Sequence, residues 1–468
     1  MSDFVTLYPG VYTEREKTLV DRYLADNRAL EERGEIDIQA LIHNRLPKDT
    51  PGIGPNFLAT EAMVRYNNQK YDPENPLLND AQYARKRGYQ NILAYPTFCD
   101  YDDFFMVPYP PAARDKLLVS QLNHSLTIYQ PVYPDDTLYL VNNARHMTEM
   151  TSLEGSQYRF MVIRSEGSVY NQKGEKVNDV IFRVTEGLKI YKPGKEIKDP
   201  TFAQMWEAPD WTRRPAHYYT DDDWEFIKDL WSKEKRQGNQ PLYWEDVNIG
   251  DEPTWTVDGP VDESVLPTFP YGMGTGGSRS MKQEILDPQI FKTMIRDARD
   301  GIYRLPNKKD YIPPVPDIKP VATADAKEEG AIDTRDIHKS AETRSALINY
   351  VGRDIAIRHI HNWMGDYGWL YNIRWGLMPP ESHAAHGKIV PQNPDAERFL
   401  EKVPKMQGRF ILTHGLTGDL AITRSCVIDK YPRDGQFFVE LVWWVENIEG
   451  YIWEEGAAIV RLPSKTAK

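Results

Sequence analysis

VYNQKG, at residues 169–174, shares the pattern V-x-N-x-x-G with VENIEG, at residues 445–450. Each stretch follows a run of β-branched and alternating apolar residues and precedes another such run, as expected for a turn between two strands. Asn and Gly are typical turn residues, because both tolerate left-handed backbone conformations. The same turn at the same place in two series of predicted strands indicates an internal duplication.

The elements around both turns follow one order, in which helices precede an antiparallel series of strands. Helical spacing of apolar residues predicts helices at residues 13–34, 59–66, 79–87 and 350–363. The first series of predicted strands covers residues 122–129, 137–142, 158–164 and 177–185. The second covers residues 371–377, 409–413, 421–429, 439–445 and 457–462. Two copies of one domain are the simplest interpretation.

The chain is therefore divided into four parts. Residues 1–54 are predicted as an N-terminal helical extension, residues 55–200 as the first half, residues 201–240 as a connector and residues 241–468 as the second half. Within the connector, Thr220 is predicted as the N-cap of a helix over residues 221–235. Residues 306–330 contain five prolines and are predicted as an irregular insertion in the second half, either a lid or a loop.

Composition excludes several classes of protein. The formal net charge of −12 argues against a nucleic-acid or anionic-membrane partner, since both bind to concentrated basic surfaces. The two cysteines, Cys99 and Cys426, lie far apart and predict neither a disulfide framework nor a metal site. The N-terminus shows no signal-peptide pattern, and no long apolar run predicts a membrane span. We therefore expect a soluble cytoplasmic protein.

Several short motifs in a fixed order resemble the MaoC-like acyl-CoA hydratase/dehydratase family. In the first half they are Asp72-Pro-Glu-Asn75-Pro76-Leu77 and, further on, Ala94-Tyr-Pro-Thr-Phe98. In the second half they are YWEDV at residues 243–247, the spacing Asp333-x4-His338, a helix from Gly352 to Asp366, and GAAIVRLP at residues 456–463. The resemblance implies an α+β double hotdog fold, in which each half has a curved antiparallel sheet wrapped round a central helix. We also expect a homo-oligomer.

The resemblance further implies hydration of a 2-enoyl-CoA thioester, or the reverse dehydration of a 3-hydroxyacyl-CoA. The family motif G-D-x-N-P-x-H then assigns Asp333 and His338 to the handling of water, although Arg335 and Asp336 replace its Asn-Pro pair. Gly352 is the candidate donor to the thioester carbonyl, because amides in the first turn of a helix lack partners. A histidine at the start of a helix and a glycine needed for close packing are the structural alternatives for His338 and Gly352.

The first half keeps Asp72, Asn75 and Pro76 of the motif, but Leu77 or Leu78 occupies the histidine position. A leucine cannot exchange a proton, so this half is predicted to bind substrate and not to catalyse. Asp72, Asn75 and Tyr95 are the predicted substrate-binding residues there. Trp363, at the end of the second-half helix, is the fourth; if it faces the cleft, it favours a bulky or aromatic acyl group.

No cofactor or metal is predicted, since coenzyme A enters as part of the substrate. His359 and His361 point to different sides of a helix and cannot readily chelate one ion, and no carboxylate or Cys completes a site around His383 and His386. The glycine-rich residues 272–277 lack the context of a dinucleotide loop. Two alternatives to the hydratase stay open: a hotdog protein that only binds a thioester or another apolar ligand, and a different lyase or hydrolase in the same cleft.

Overall fold

The structure is a computed structural model that describes residues 14–99, 117–121, 124–150, 158–189, 214–261, 281–304, 350–376, 400–402, 404, 413 and 415–466. The described α-helices are α1 (Glu14–Arg33), α2 (Ile38–Ile42), α3 (Glu61–Tyr71), α4 (Pro76–Asn79), α5 (Ala81–Lys86), α6 (Asp221–Lys233), α7 (Met281–Leu286), α8 (Pro288–Phe291) and α9 (Tyr350–Met364). Short 3-10 helices cover Pro96–Cys99 and Trp244–Asp246. None of the described helices has the length and apolar character needed to cross a membrane.

In both halves, most of the described strands follow the helices as one consecutive series. In the first half they are β1 (Phe57–Leu58), β2 (Leu117–Gln121), β3 (His124–Ile128), β4 (Thr137–Met150), β5 (Tyr158–Tyr170) and β6 (Lys176–Lys189). In the second half they are β7 (Thr256–Asp258), β8 (Ile295–Arg296), β9 (Tyr303–Arg304), β10 (Trp369–Trp375), β11 (Ala421–Arg433), β12 (Gln436–Glu446) and β13 (Ile452–Leu462). The predicted order of helices and strands is confirmed, except at residues 409–413, of which only residue 413 is described.

The strand order of the large antiparallel sheet is symmetric about the junction of the two halves. Its described strands follow the order β1-β4-β5-β6-β3 in the first half, where β2 also pairs with β6, and then β10-β13-β12-β11-β7 in the second. Each half thus places its first strand at the outer edge of the sheet and its three long strands next to it. The strand that precedes these three in the chain, β3 or β10, lies at the junction with the other half. The halves join where β3 pairs with β10, with Asn372 opposite Thr127 and Trp375 opposite His124. This repeated order supports the duplication that the two turns predicted.

The repeated V-x-N-x-x-G turns have the same hydrogen bonds. Asn171 and Asn447 each accept two backbone N–H bonds on the side-chain oxygen, at 2.9 and 3.1 Å in both turns. Gly174 and Gly450 each donate to the backbone oxygen of that asparagine, and both have a positive φ, of 78° and 85°. A glycine adopts this conformation without strain. Each turn connects the last two strands of its half, as predicted.

Helix α9 lies in the interior of the molecule. Every position from Val351 to His361 is buried, and the helix contacts the second-half strands β7, β10, β11, β12 and β13 as well as helix α3 of the first half. A helix buried on all sides belongs to a core between two layers. The Tyr95 hydroxyl ties the first half to this helix by donating to the backbone oxygen of Asp354 at 2.6 Å.

The connector helix α6 packs against the second half. Thr220 caps it in a reciprocal capping box with Asp223, which confirms the predicted start of the helix. Trp224, Ile227, Leu230 and Trp231 are its buried residues. The Trp231 indole donates to the Val257 oxygen at 3.1 Å, and the Val257 N–H donates to the Glu234 carboxylate at 2.9 Å. These two bonds cover the outer side of β7.

Candidate functional site

The first-half motif forms a loop between two helices. Asp72 ends helix α3, and its N–H donates to the Asn68 oxygen. Asn75 is the N-cap of helix α4, accepting the Leu77 N–H at 3.1 Å, and Pro76 is the first helical residue. Proline suits this position because its φ is already helical and no N–H is needed there. The sequence Asp72-Pro-Glu-Asn75-Pro76 therefore fixes the Asp72 side chain in the space between α3 and α4.

Asp72 is a fully buried carboxylate with three hydrogen-bond partners. One oxygen accepts the Asn75 amide at 3.0 Å and lies 3.1 Å from Nδ1 of His361. The other accepts Nη1 of Arg236 at 3.3 Å. Burial raises the pKa of Asp72, but the His361 and Asn75 hydrogen bonds and the nearby charge of Arg236 outweigh burial and lower that pKa. Asp72 is therefore ionised at neutral pH.

His361 reaches Asp72 from the other half of the chain, at the C-terminal end of helix α9. An ionised carboxylate can only accept hydrogen bonds, so Nδ1 of His361 must carry the proton that it shares with Asp72. In the neutral ring Nε2 then holds a lone pair. Among the described residues, only Asp72 is hydrogen-bonded to this ring, and the ring edge-packs against Tyr95 at a centroid distance of 5.8 Å.

Arg236, from the connector, completes the group. Its Nη1 donates to Asn362 at 3.0 Å as well as to Asp72, so it links the first-half loop to helix α9. Three segments that are remote in sequence thus converge on one carboxylate. The resulting cluster of Asp72, His361 and Arg236 contains an ionised carboxylate, an imidazole that can accept a proton, and a permanently charged guanidinium.

A narrow pocket opens beside this cluster. It has a cavity volume of about 60 Å³ and is lined mainly by apolar side chains of both halves. These include Leu77, Leu93, Ile128, Val177, Met364 and Trp369. The polar side chains on its wall include Asn75, His361 and Arg236. About 10–15 Å³ suffices for one water molecule, so the pocket has room for water beside its imidazole.

The predicted substrate-binding residues fall at different places around this pocket. Asn75 and Tyr95 line it, and Asp72 lies directly behind Asn75 and His361. Burial raises the pKa of Tyr95 well above its usual range, so its hydroxyl stays neutral. Trp363 is half-buried against the main core and is not part of the pocket wall; Trp369 is the tryptophan that lines it.

Two of the three predicted catalytic residues, Asp333 and His338, lie outside the described residues. Gly352 is described, and its N–H donates to the Glu454 carboxyl group at 3.0 Å. Burial raises the pKa of Glu454 well above its usual range. A Cβ at position 352 would lie 2.1 Å from that carboxyl oxygen, so the glycine allows close packing here. The amide predicted for the thioester carbonyl is thus already engaged.

The described residues contain no group of three or more His, Cys, Asp or Glu arranged to hold a metal ion. His359 is enclosed by hydroxyl groups, with Thr256 at 3.1 Å from Nδ1 and Ser425 at 2.8 Å from Nε2. It faces away from His361, as the helical spacing predicted. His383 and His386 lie outside the described residues.

His361 and Arg236 were not predicted from the sequence as residues of this site. His361 was weighed only as a metal ligand, and its partner lies 289 positions away in the chain. Arg236 lies in the connector, which carries no family motif. The retained Asp72 without a motif histidine was the available signal, because a buried carboxylate requires a compensating partner.

No protein-family model matches the sequence, and no curated protein matches it. The chain is structurally similar to MaoC-like dehydratases. One solved MaoC-like dehydratase is 14% identical with a TM-score of 0.43, covering 88% of this chain and 97% of its own. A putative MaoC domain dehydratase from Chloroflexus aurantiacus is 10% identical with a TM-score of 0.43, covering 90% and 100%.

A conserved hypothetical protein from Mycobacterium tuberculosis, described as having a double hotdog fold, is also 10% identical with a TM-score of 0.43, and the coverage is 92% and 99%. The first two of these three carry the name of the family that the sequence motifs resemble.

Proposed function

We propose that this chain is a double hotdog protein that hydrates a 2-enoyl thioester, or dehydrates the corresponding 3-hydroxyacyl thioester. The observation that carries the proposal is a carboxylate-supported imidazole on the wall of a mainly apolar pocket between the two halves. The apolar wall suits an acyl chain, and an imidazole is the side chain best matched to proton transfer near neutral pH. The repeated strand order supports the double hotdog architecture.

The reaction adds the elements of water across the C2–C3 double bond. A base removes one proton from water, the hydroxide oxygen forms a bond to C3, and an acid delivers one proton to C2. Polarisation of the thioester carbonyl stabilises the enolate between these two steps. Coenzyme A, the thiol part of the substrate, stays attached throughout, so the chemistry requires no separate cofactor.

The residues of the pocket wall also favour a particular kind of acyl group. Tyr89, Tyr95 and Trp369 line it together with the aliphatic residues. Flat aromatic side chains pack well against planar or aromatic groups. A bulky or aromatic acyl group is therefore part of the proposal. The cytoplasmic location and the homo-oligomer stay predictions from the sequence.

The test is to incubate the protein with a panel of 2-enoyl-CoA esters that have short, long and aryl-substituted acyl groups. The absorbance of the enoyl thioester is recorded over time. We expect that absorbance to fall with at least one ester as the 3-hydroxyacyl product accumulates. Tight binding with unchanged absorbance would instead indicate a binding protein. Release of free thiol would indicate a hydrolase. Either of these results, or no binding at all, would contradict the proposal.

A further inference from the structure

We propose that His361 is the catalytic base of this pocket and that Asp72 and Arg236 are its positioning residues, so that one acid/base site is assembled from both halves and the connector. This inference rests on the proposed function and adds to it the residues that move the proton. It replaces the prediction that the first half has lost catalysis with a different one: the missing imidazole is supplied from helix α9.

The first-half motif lacks its histidine. Asp72, Asn75 and Pro76 are present, and the side chains that follow are Leu77 and Leu78, both buried and both lining the pocket. Neither can transfer a proton. The His361 imidazole contacts the same carboxylate at 3.1 Å and also lines the same pocket. An imidazole is therefore restored to Asp72 from a different part of the chain.

The contact with Asp72 determines which nitrogen of the His361 imidazole carries the proton. The ionised Asp72 fixes the tautomer with the proton on Nδ1, so Nε2 is the basic nitrogen. The part of the chain that the structure describes offers no hydrogen-bond partner to Nε2, whereas the ring borders the pocket. A water molecule in the pocket is then the natural donor to Nε2. An oriented imidazole with one free nitrogen is the arrangement that general base catalysis requires.

His359, two positions away on the same helix, has different surroundings from His361. Both nitrogens of His359 have hydroxyl partners, Thr256 and Ser425, and the residue does not line the pocket. His359 therefore has all the features of a structural histidine. His361 has a carboxylate on one nitrogen and pocket space at the other, which a purely structural role does not require.

The reaction returns to C2 the same number of protons that His361 takes from water. Nε2 of His361 takes a proton from water while the oxygen bonds to C3 and the electron pair of the double bond moves onto C2 and the thioester carbonyl. The imidazolium then returns a proton to C2. Asp72 stabilises the imidazolium without being protonated, and Arg236 keeps Asp72 in place and ionised through its contact at 3.3 Å.

The experiment uses the full chain and the best enoyl-CoA ester of the panel. His361→Gln and Asp72→Asn are each expected to lower kcat by about two to four orders of magnitude with little change in KM. His359→Gln, which also removes a buried imidazole from α9, is the matched control and is expected to keep most of the activity. His338→Ala is measured beside them, because the sequence motif predicts the loss there instead.

A second measurement separates catalysis from folding. Among the described residues, His361 contacts the titratable groups Asp72 and the neutral Tyr95. The charged residues Arg236 and Asp366 line the same pocket, and Arg236 contacts Asp72. Arg236→Gln removes a cation that disfavours the imidazolium, so the acid limb of the kcat/KM profile should move to higher pH. A merely structural arginine would lower the amount of folded protein without moving that limb.

The outcomes distinguish the two proposals. If the wild-type protein turns over no enoyl ester, the proposed function fails and this inference fails with it. If the wild type is active but His361→Gln keeps full activity while His338→Ala loses it, only this inference is overturned. If His361→Gln does not fold, an unmoved acid limb in Arg236→Gln overturns the inference in the same way.

Discussion

At the scale of single residues, His359 makes the pH dependence of stability predictable. Burial, with a further contribution from the charge of Arg358, lowers its pKa from 6.5 to about 3. Below pH 6.5 the unfolded chain therefore binds a proton that the folded chain does not, so stability falls as the pH falls from 6.5 towards 3. The contribution is about 1.4 kcal/mol per pH unit within that window.

The measurement is the free energy of unfolding of the wild type and of His359→Gln at a series of pH values. Between pH 6.5 and 3 the free energy of unfolding should fall more steeply with decreasing pH in the wild type than in the variant. The difference in slope should correspond to the binding of about one proton. Above this window the two slopes should agree, which serves as the control. Parallel curves across the whole range would show that His359 titrates normally in the folded protein.

The individual side chains of the site were only partly predictable from the sequence. Asp72 and Asn75 were found because both lie in one short motif, and the structure places Asn75 on the pocket wall and Asp72 directly behind it. His361 and Arg236 come from segments without a motif, and only the folded chain brings them to Asp72. Local patterns record which residues are neighbours in sequence, and they carry no information on a contact across 289 positions.

At the scale of elements, the two repeated turns give a matched experiment. A Cβ at Gly450 would meet no atom within 4 Å, so Gly450→Ala changes only the backbone preference at φ 85°. We expect a loss of about 1–2 kcal/mol in the free energy of unfolding, because left-handed backbone costs a non-glycine residue that much. Gly450→Asn should lose less, since Asn tolerates this conformation.

Chemical denaturation of the wild type and both variants tests this prediction. Gly174→Ala is the comparison from the other copy, where a Cβ would lie 3.0 Å from the Gln39 side chain and 3.3 Å from Ile38. That variant should therefore lose more stability than Gly450→Ala. Equal stability of wild type and Gly450→Ala would mean that this turn tolerates left-handed alanine.

Most elements were predictable from the sequence because their signals are local. Helix α9 was predicted at residues 350–363 and ends at Met364, and the Thr220 cap fixed the start of α6. Strands β4 and β5 were predicted at half their length, since the polar and charged residues in their later parts hide the alternation. The pairing of β3 with β10 had no signal in either strand.

At the scale of the whole molecule, Asn372 holds the junction between the halves. Its amide donates to Ser125 and Thr127 hydroxyls at 3.0 and 2.9 Å and to the Leu126 oxygen at 3.2 Å. Asn372→Asp would place a buried carboxylate against the Leu126 carbonyl oxygen. We expect a loss of at least 1–3 kcal/mol, roughly the cost of an unsatisfied buried polar group.

Thermal or chemical denaturation at neutral pH measures that loss. Asn56→Asp is the matched control, because Asn56 is exposed and its amide donates at 3.4 Å to Asn44, another exposed side chain. Its effect should be within about 0.5 kcal/mol, as for most surface substitutions. A junction variant as stable as this control would show that the halves do not depend on Asn372 for their union.

The covered outer side of β7 has a further consequence, for self-association. An uncovered strand at the margin of a sheet is a template on which another chain can add a strand and begin an aggregate. At this margin the strand is only three residues long, and Trp231 and Glu234 already hold both polar groups of Val257. Another chain would have to displace both side chains before it could extend the sheet there. Copies of this protein are therefore protected at β7 from polymerising strand upon strand.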